Sequence, residues 1–158
     1  MDKKTSILSV IKWVDDANGV LSKPCEPVTE VTKEITELID SMCLTLIASG
    51  GLGLSAPQVG KNLRILVLNK KLWEEKDDIV MINPELIVLN DNLQMTWEYC
   101  LSFPDMGKII KRHIEVQLNG YSRDMKNQHV LMGEGLQARV IEHEFDHLEG
   151  ITLYNKNE

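Results

Sequence analysis

The sequence predicts an α+β fold, mainly antiparallel sheets packed around a central helix, with a further helix towards the N-terminus. Three observations carry that expectation. Residues 29–48 hold Val31, Ile35, Leu38, Ile39, Met42 and Leu46 near helical spacing. Residues 63–132 break into short β-rich runs bounded by turn residues. Residues 133–148 return to helical periodicity. With 158 residues, 43% apolar and 26% charged, the chain reads as one globular domain over residues 1–158.

The elements follow in order. The opening apolar run, Ile7 to Ile11, is too short and interrupted for a signal sequence. Residues 15–27 are turn-rich, with Asn18-Gly19, Pro24 and Pro27. Thr29 and Thr32 are candidate N-caps for the first helix, which Ser49, Gly50 and Gly51 end. Strands are expected at 63–69, 79–82, 86–89, 93–98, 109–110, 114–120 and 129–132. The second helix closes at Gly150, in the position a C-terminal glycine favours.

A net charge of −7 argues against general nucleic-acid binding, which needs a basic face. The local basic cluster of Lys108, Lys111 and Arg112 reads as a solvated strand edge. No stretch reaches the length of a membrane span. Cys25, Cys43 and Cys100 are odd in number and widely spaced, which suggests no disulfide framework. A reducing, cytoplasmic location is expected, with Cys25 and Cys43 buried or idle.

The sharpest chemical signal is His-Glu-x-x-His at His143, Glu144 and His147, inside the second helix. Histidines four apart lie about 6 Å apart along a helix axis and only about 40° apart around it. Both rings can converge on one ion. Glu144, one residue round, is poorly placed to ligate but can take a proton from a metal-bound water. Leu136, Val140, His143 and His147 share one helix face. Two buried neutral histidines with a buried glutamate are costly without a metal.

A catalytic ion usually takes three protein ligands and keeps one position open. Cys100, at an expected strand end, is the strongest candidate for the third, although the residue by itself fits an idle thiol better. The glycine-rich segment 50–60 permits either close backbone approach or a plain turn. It lacks the Gly-Lys-Ser/Thr of a phosphate loop, and Gln58 is unexplained within it.

Together the three segments resemble the peptide deformylase family, whose ordered motifs are Gly-x-Gly-x-Ala-Ala-x-Gln, Glu-Gly-Cys-Leu-Ser and Gln-His-Glu-x-Asp-His-Leu-x-Gly. Here they read GLGLSAPQ from Gly51 to Gln58, EYCLS from Glu98 to Ser102, and EHEFDHLEG from Glu142 to Gly150. The likeness extends to residues 24–28 and 82–86 and covers nearly the whole chain. It implies a peptide-deformylase-like fold around a metal-binding helix, with Cys100, His143 and His147 as ligands. It implies Glu144 as the acid/base, with Gln58 and the backbone N–H of Leu101 as oxyanion donors. Gly53 would bind the substrate backbone, and Leu52, Leu136 and Val140 would line a methionine pocket. The implied reaction removes the formyl group from N-formylmethionyl nascent peptides and releases formate. The implied cofactor is one divalent ion, natively Fe²⁺, with Zn²⁺, Ni²⁺ or Co²⁺ as substitutes.

Several residues depart from the family pattern. Tyr99 replaces a glycine, Glu142 a glutamine and Ser55 an alanine; none removes a ligand or the base. Glu142 is expected to add negative charge near the site. Gly107 stands where many members carry an arginine that contacts the peptide backbone, so weaker peptide affinity or compensation by Lys108 is expected. Only eight residues follow Gly150, without the C-terminal helix that links many bacterial members to the ribosome. An endoprotease would share the His-Glu-x-x-His motif, but Glu149 lies too near His147 to converge easily as its third ligand. A binding module without turnover would not need Glu144 and Gln58.

Overall fold

The computed structural model describes residues 5–156; residues 1–4 and 157–158, the ends of the expected domain, lie outside the described residues. The described residues form helices α1 (Lys33–Ser49) and α2 (Leu136–Leu148). They form strands β1 (Gly53–Ser55), β2 (Ile65–Leu68), β3 (Ile79–Val88), β4 (Leu93–Cys100), β5 (Phe103–His113), β6 (Glu115–Tyr121) and β7 (Gln128–Glu134). A five-stranded antiparallel sheet runs in the order β1-β2-β3-β6-β7, while β4 and β5 pair as a separate hairpin.

The sheet carries a helix on each face. Ile65 and Val67 of β2 join Val80 and Ile82 of β3 and pack with Ile39, Met42 and Leu46 of α1. The alternate residues Leu66, Leu68, Ile79 and Met81 pack with Ala138, Ile141 and Leu148 of α2. A strand covered on both faces has no polar alternate, so 65–68 reads as an unbroken apolar run. Burying each such side chain contributes about 1.5–3 kcal/mol. The other side of α2 meets the β4–β5 hairpin, where His143 and Asp146 contact Glu98 and Arg112. The expected architecture, antiparallel sheets around one helix with a further N-terminal helix, is therefore the one found.

Boundaries moved where tertiary packing overrode local pattern. Thr32, not Thr29, caps α1, its hydroxyl accepting from the Ile35 N–H at 3.3 Å. The two runs expected at 79–82 and 86–89 form one strand, broken in register near Asn83. Asn83 adopts φ 51°, and its amide exchanges two 2.8 Å hydrogen bonds with the backbone of Val28. β5 starts at Phe103, well before the expected 109–110 run, because Phe103 pairs with Cys100 and residues 108–113 pair with 93–98. The poor strand formers Pro104, Asp105 and Gly107 lie in the irregular stretch between these paired segments. Gly133 belongs to β7 opposite Val116, not to the helix. A Cβ there would lie 2.6 Å from Ile141 Cδ1, so its absence lets α2 close onto the sheet.

Candidate metal centre

Three elements converge on one point. α2 supplies His143, Glu144 and His147, β4 ends at Cys100, and β1 with the 3₁₀ turn Ala56–Val59 supplies Gly53 and Gln58. Cys100, His143 and His147 could hold a metal ion: one possible ligating atom from each lies within 4.8 Å of the others. Cys100 Sγ is 3.3 Å from His147 Nε2. The spacing of the sequence places two of these donors; only the packing of the β4–β5 hairpin against α2 brings the third.

The electrostatics suit a cation. Burial opposes a charged His143, yet the hydrogen bonds of Cys100 and Glu98 outweigh it and raise the pKa to about 10. Burial, reinforced by the positive charges of His143 and Arg112, pushes His147 well below its ordinary value. One ring thus holds a proton where a cation could replace it, and the other is a neutral imidazole with a free lone pair to offer a cation. Glu144 Oε2 is buried and meets no donor among the described residues, and burial raises its pKa to about 7 against the pull of His143 and Arg112.

Gln58 is oriented by its neighbour. The backbone N–H and hydroxyl of Ser55 both donate to Gln58 Oε1 at 3.0 Å, which turns Nε2 towards Cys100 Sγ at 3.5 Å and Ser102 Oγ at 3.3 Å. The serine that departs from the family's alanine therefore aims the amide. Gly53 lies against the carboxylate: a Cβ there would sit 2.6 Å from Glu144 Cγ and 2.8 Å from its Oε1. Gly53→Ala is expected to displace Glu144 and lower kcat/KM on the order of 10²-fold, with an unchanged far-ultraviolet circular dichroism spectrum.

A cavity of about 490 Å³ opens above these groups. Leu52, Gly53, Gln58, Leu101, Leu136 and Val140 all line it, so the structure gathers the expected substrate-side residues in one place. Residues 8–158 match the family model described as polypeptide deformylase. The chain belongs to the polypeptide deformylase family. The peptide deformylase of Lachnoclostridium phytofermentans is 42% identical over 139 residues, 88% of this chain and 83% of that protein. That of Agathobacter rectalis is 42% identical over 143 residues, 90% of this chain and 87% of that protein. A crystal structure of a peptide deformylase from Legionella pneumophila superposes with a TM-score of 0.86 at 29% identity, covering 97% of this chain and 87% of that one. Like its relatives, the protein is a hydrolase of protein biosynthesis that removes the formyl group from nascent peptides.

Behind these donors lies an ion-pair network that the sequence did not reveal. His143 Nδ1 is 3.0 Å from Glu98 Oε2, which leaves Nε2 facing the centre. Arg112 donates to both Glu98 oxygens at 2.8 and 2.9 Å and to Asp146 at 2.5 Å. Arg112 is only 2% exposed, which overturns its reading as part of a solvated edge. The β4–β5 register turns it inward, while Lys111 remains exposed. Glu98 and Asp146 sit inside two recognised motifs, and that was their available signal; Arg112 had none. Glu142 does not charge the cavity, because its carboxylate accepts from the His113 backbone N–H at 2.8 Å and lies 2.7 Å from His113 Nδ1. Lys108 donates to the Lys156 carbonyl at 3.2 Å and does not line the cavity, so it does not stand in for an arginine at position 107.

Proposed function

We propose that this chain, as one catalytic domain over residues 1–158, hydrolyses N-formylmethionyl nascent peptides with one divalent ion held by Cys100, His143 and His147. The observation that carries the assignment of roles is the convergence of three donor atoms within 4.8 Å, beside an unpartnered Glu144 Oε2 and the Gln58 amide. One thiolate and two imidazoles suit Fe²⁺, the expected native ion, and accept Zn²⁺, Ni²⁺ or Co²⁺ as substitutes. When bound, such an ion is a Lewis acid that lowers the pKa of a water and polarises a carbonyl.

The remaining steps belong to the chain. Glu144 accepts a proton as water adds to the formyl carbon, then delivers it to the departing amine nitrogen. Its burial, which favours the protonated form, lets it hold that proton between the two transfers. Gln58 Nε2 and the Leu101 backbone N–H donate to the carbonyl oxygen as it gains negative charge. Gly53 lies on β1, which pairs only with β2 among the described residues, so the other edge of β1 is open to a substrate backbone. The methionine side chain lies against Leu52, Leu136 and Val140. Gln58→Leu is expected to lower kcat by about 10²–10³ with little change in KM, read from initial rates of formate release.

The proposed partner is the nascent chain and the proposed location the cytoplasm; the net charge of −7 suits neither nucleic acid nor an anionic surface. Formate release from formyl-Met-Ala-Ser by anaerobically purified protein loaded with Fe²⁺ or Ni²⁺ tests the proposal. Turnover of that peptide, with none of casein or of the acetyl analogue, supports it. A fully loaded protein that releases no formate overturns it.

A further inference from the structure

Among the described residues, the cavity carries one cation without a carboxylate partner. Arg139 stands one turn before His143 on α2, and its side chain lines the cavity. Its Nη2 donates to the Trp97 carbonyl at 3.1 Å, whereas its Nε–H is buried and meets no acceptor. The negative group beside it in the lining, Glu98, is already engaged by Arg112 and His143.

Position and chemistry both point outward from the reaction. Leu136 and Trp97 are 45% and 52% exposed, so this part of the lining is the mouth, while Cys100, Glu144 and Gln58 form the deep end. One helical turn is about 5.4 Å, and an extended peptide advances about 3.3 Å per residue. A peptide leading from the centre out to the mouth would bring a group one or two residues beyond the formylated end to the level of Arg139. A guanidinium keeps its charge at every working pH and offers a planar fork of donors that matches a carboxylate. A buried N–H without an acceptor is unfavourable, and a ligand that brings the acceptor removes that cost.

We propose that Arg139 is a specificity determinant at the cavity mouth, recognising a carboxylate on the first or second residue after the formylated one. The inference rests on the deformylase reading of the site. The same chemistry could come from the free C-terminus of a very short peptide, but a nascent chain has no terminus within reach, so an Asp or Glu side chain is the source. The contact lies away from the reacting carbon and is made equally in ground and transition states, so it acts on KM and not on kcat.

The test compares metal-loaded wild type, Arg139→Gln and Arg139→Lys on C-terminally amidated formyl-Met-Ala-Ser, formyl-Met-Asp-Ser and formyl-Met-Ala-Asp, with the free acid of the first as a fourth substrate. Wild type is expected to show about three- to tenfold lower KM for the acidic amides at equal kcat, a preference that weakens with added salt. Arg139→Gln is expected to abolish that preference and Arg139→Lys to keep part of it. If Arg139 serves only to hold Trp97, its loss changes every substrate alike, and the proposal fails. A gain confined to the free acid overturns the side-chain source. Turnover of the neutral amide without any acidic preference overturns this inference alone, whereas no formate from any peptide removes the deformylase reading as well.

Discussion

Glu144→Gln is expected to lower kcat by about 10²–10⁴ while leaving the metal content and the fold of the protein unchanged. The substitution keeps the volume of a side chain that is 4% exposed and packed against Gly53, so the cavity keeps its shape. It removes the one capacity the reaction needs there, which is to accept a proton and return it. The three donors that hold the ion are untouched. Formate release, bound metal measured by atomic absorption, and thermal denaturation separate the outcomes. Loss of turnover together with loss of metal would place Glu144 among the ligands instead of at the proton. Retained turnover would leave the proton transfer to another group.

Arg112→Met carries the largest expected cost in stability. The guanidinium is 2% exposed and bonds Glu98 and Asp146, which themselves are nearly buried. Removing it leaves Glu98 with only His143 and Asp146 with only Lys156 as ionic partners, and deleting one side of a buried pair costs about 3–5 kcal/mol. For a domain of this size that lowers Tm by roughly 10 °C. Arg112→Met combined with Glu98→Gln is expected to recover part of the loss, since the buried charge that lost the guanidinium is then gone.

The same network sets an acid limit on the metal-depleted protein. Burial acts to raise the Glu98 pKa, but hydrogen bonds and charge from Arg112 and His143 outweigh it and bring it from 4.5 to about 2. A carboxylate whose folded pKa is depressed stabilises the fold fully above its unfolded pKa. That stability is lost as pH falls from about 4.5 towards 2, and a shift of this size is worth on the order of 3 kcal/mol. Urea denaturation at a series of pH values is expected to show a decline across that window in wild type and a flatter one in Arg112→Met. Identical slopes would mean that Arg112 does not set the ionisation of Glu98.

Much of this was legible in the residues, and the limits of legibility have physical causes. α2 could be found because its apolar stripe has the helical period and Gly150 adopts φ 74° just beyond its end. β2 was equally plain as a short apolar run. The Gly51–Gln58 segment was not, because β1 is three residues long and acquires its strand character only by pairing with β2. The family motif marked Gln58, but the orientation of its amide by Ser55 is a feature of the fold. The start of β5 is not local in origin, because Phe103 is held by its pairing with Cys100 across an irregular stretch that contains Pro104, Asp105 and Gly107.

What the sequence determined by itself is local. Helical geometry alone forces His143 and His147 onto one face with Glu144 beside them, whatever the rest of the chain does. Ordered motifs then marked Cys100 and Gln58 as their companions. Tertiary structure decided which charges face the site. It buried Arg112 on Glu98, turned Glu142 to His113, sent Lys108 to the Lys156 carbonyl, and left Arg139 at the cavity mouth. These outcomes depend on strand register and on the angle at which a hairpin meets a helix. A register slip of one residue would move each side chain of that hairpin to the opposite face, and no local pattern in the chain encodes that choice.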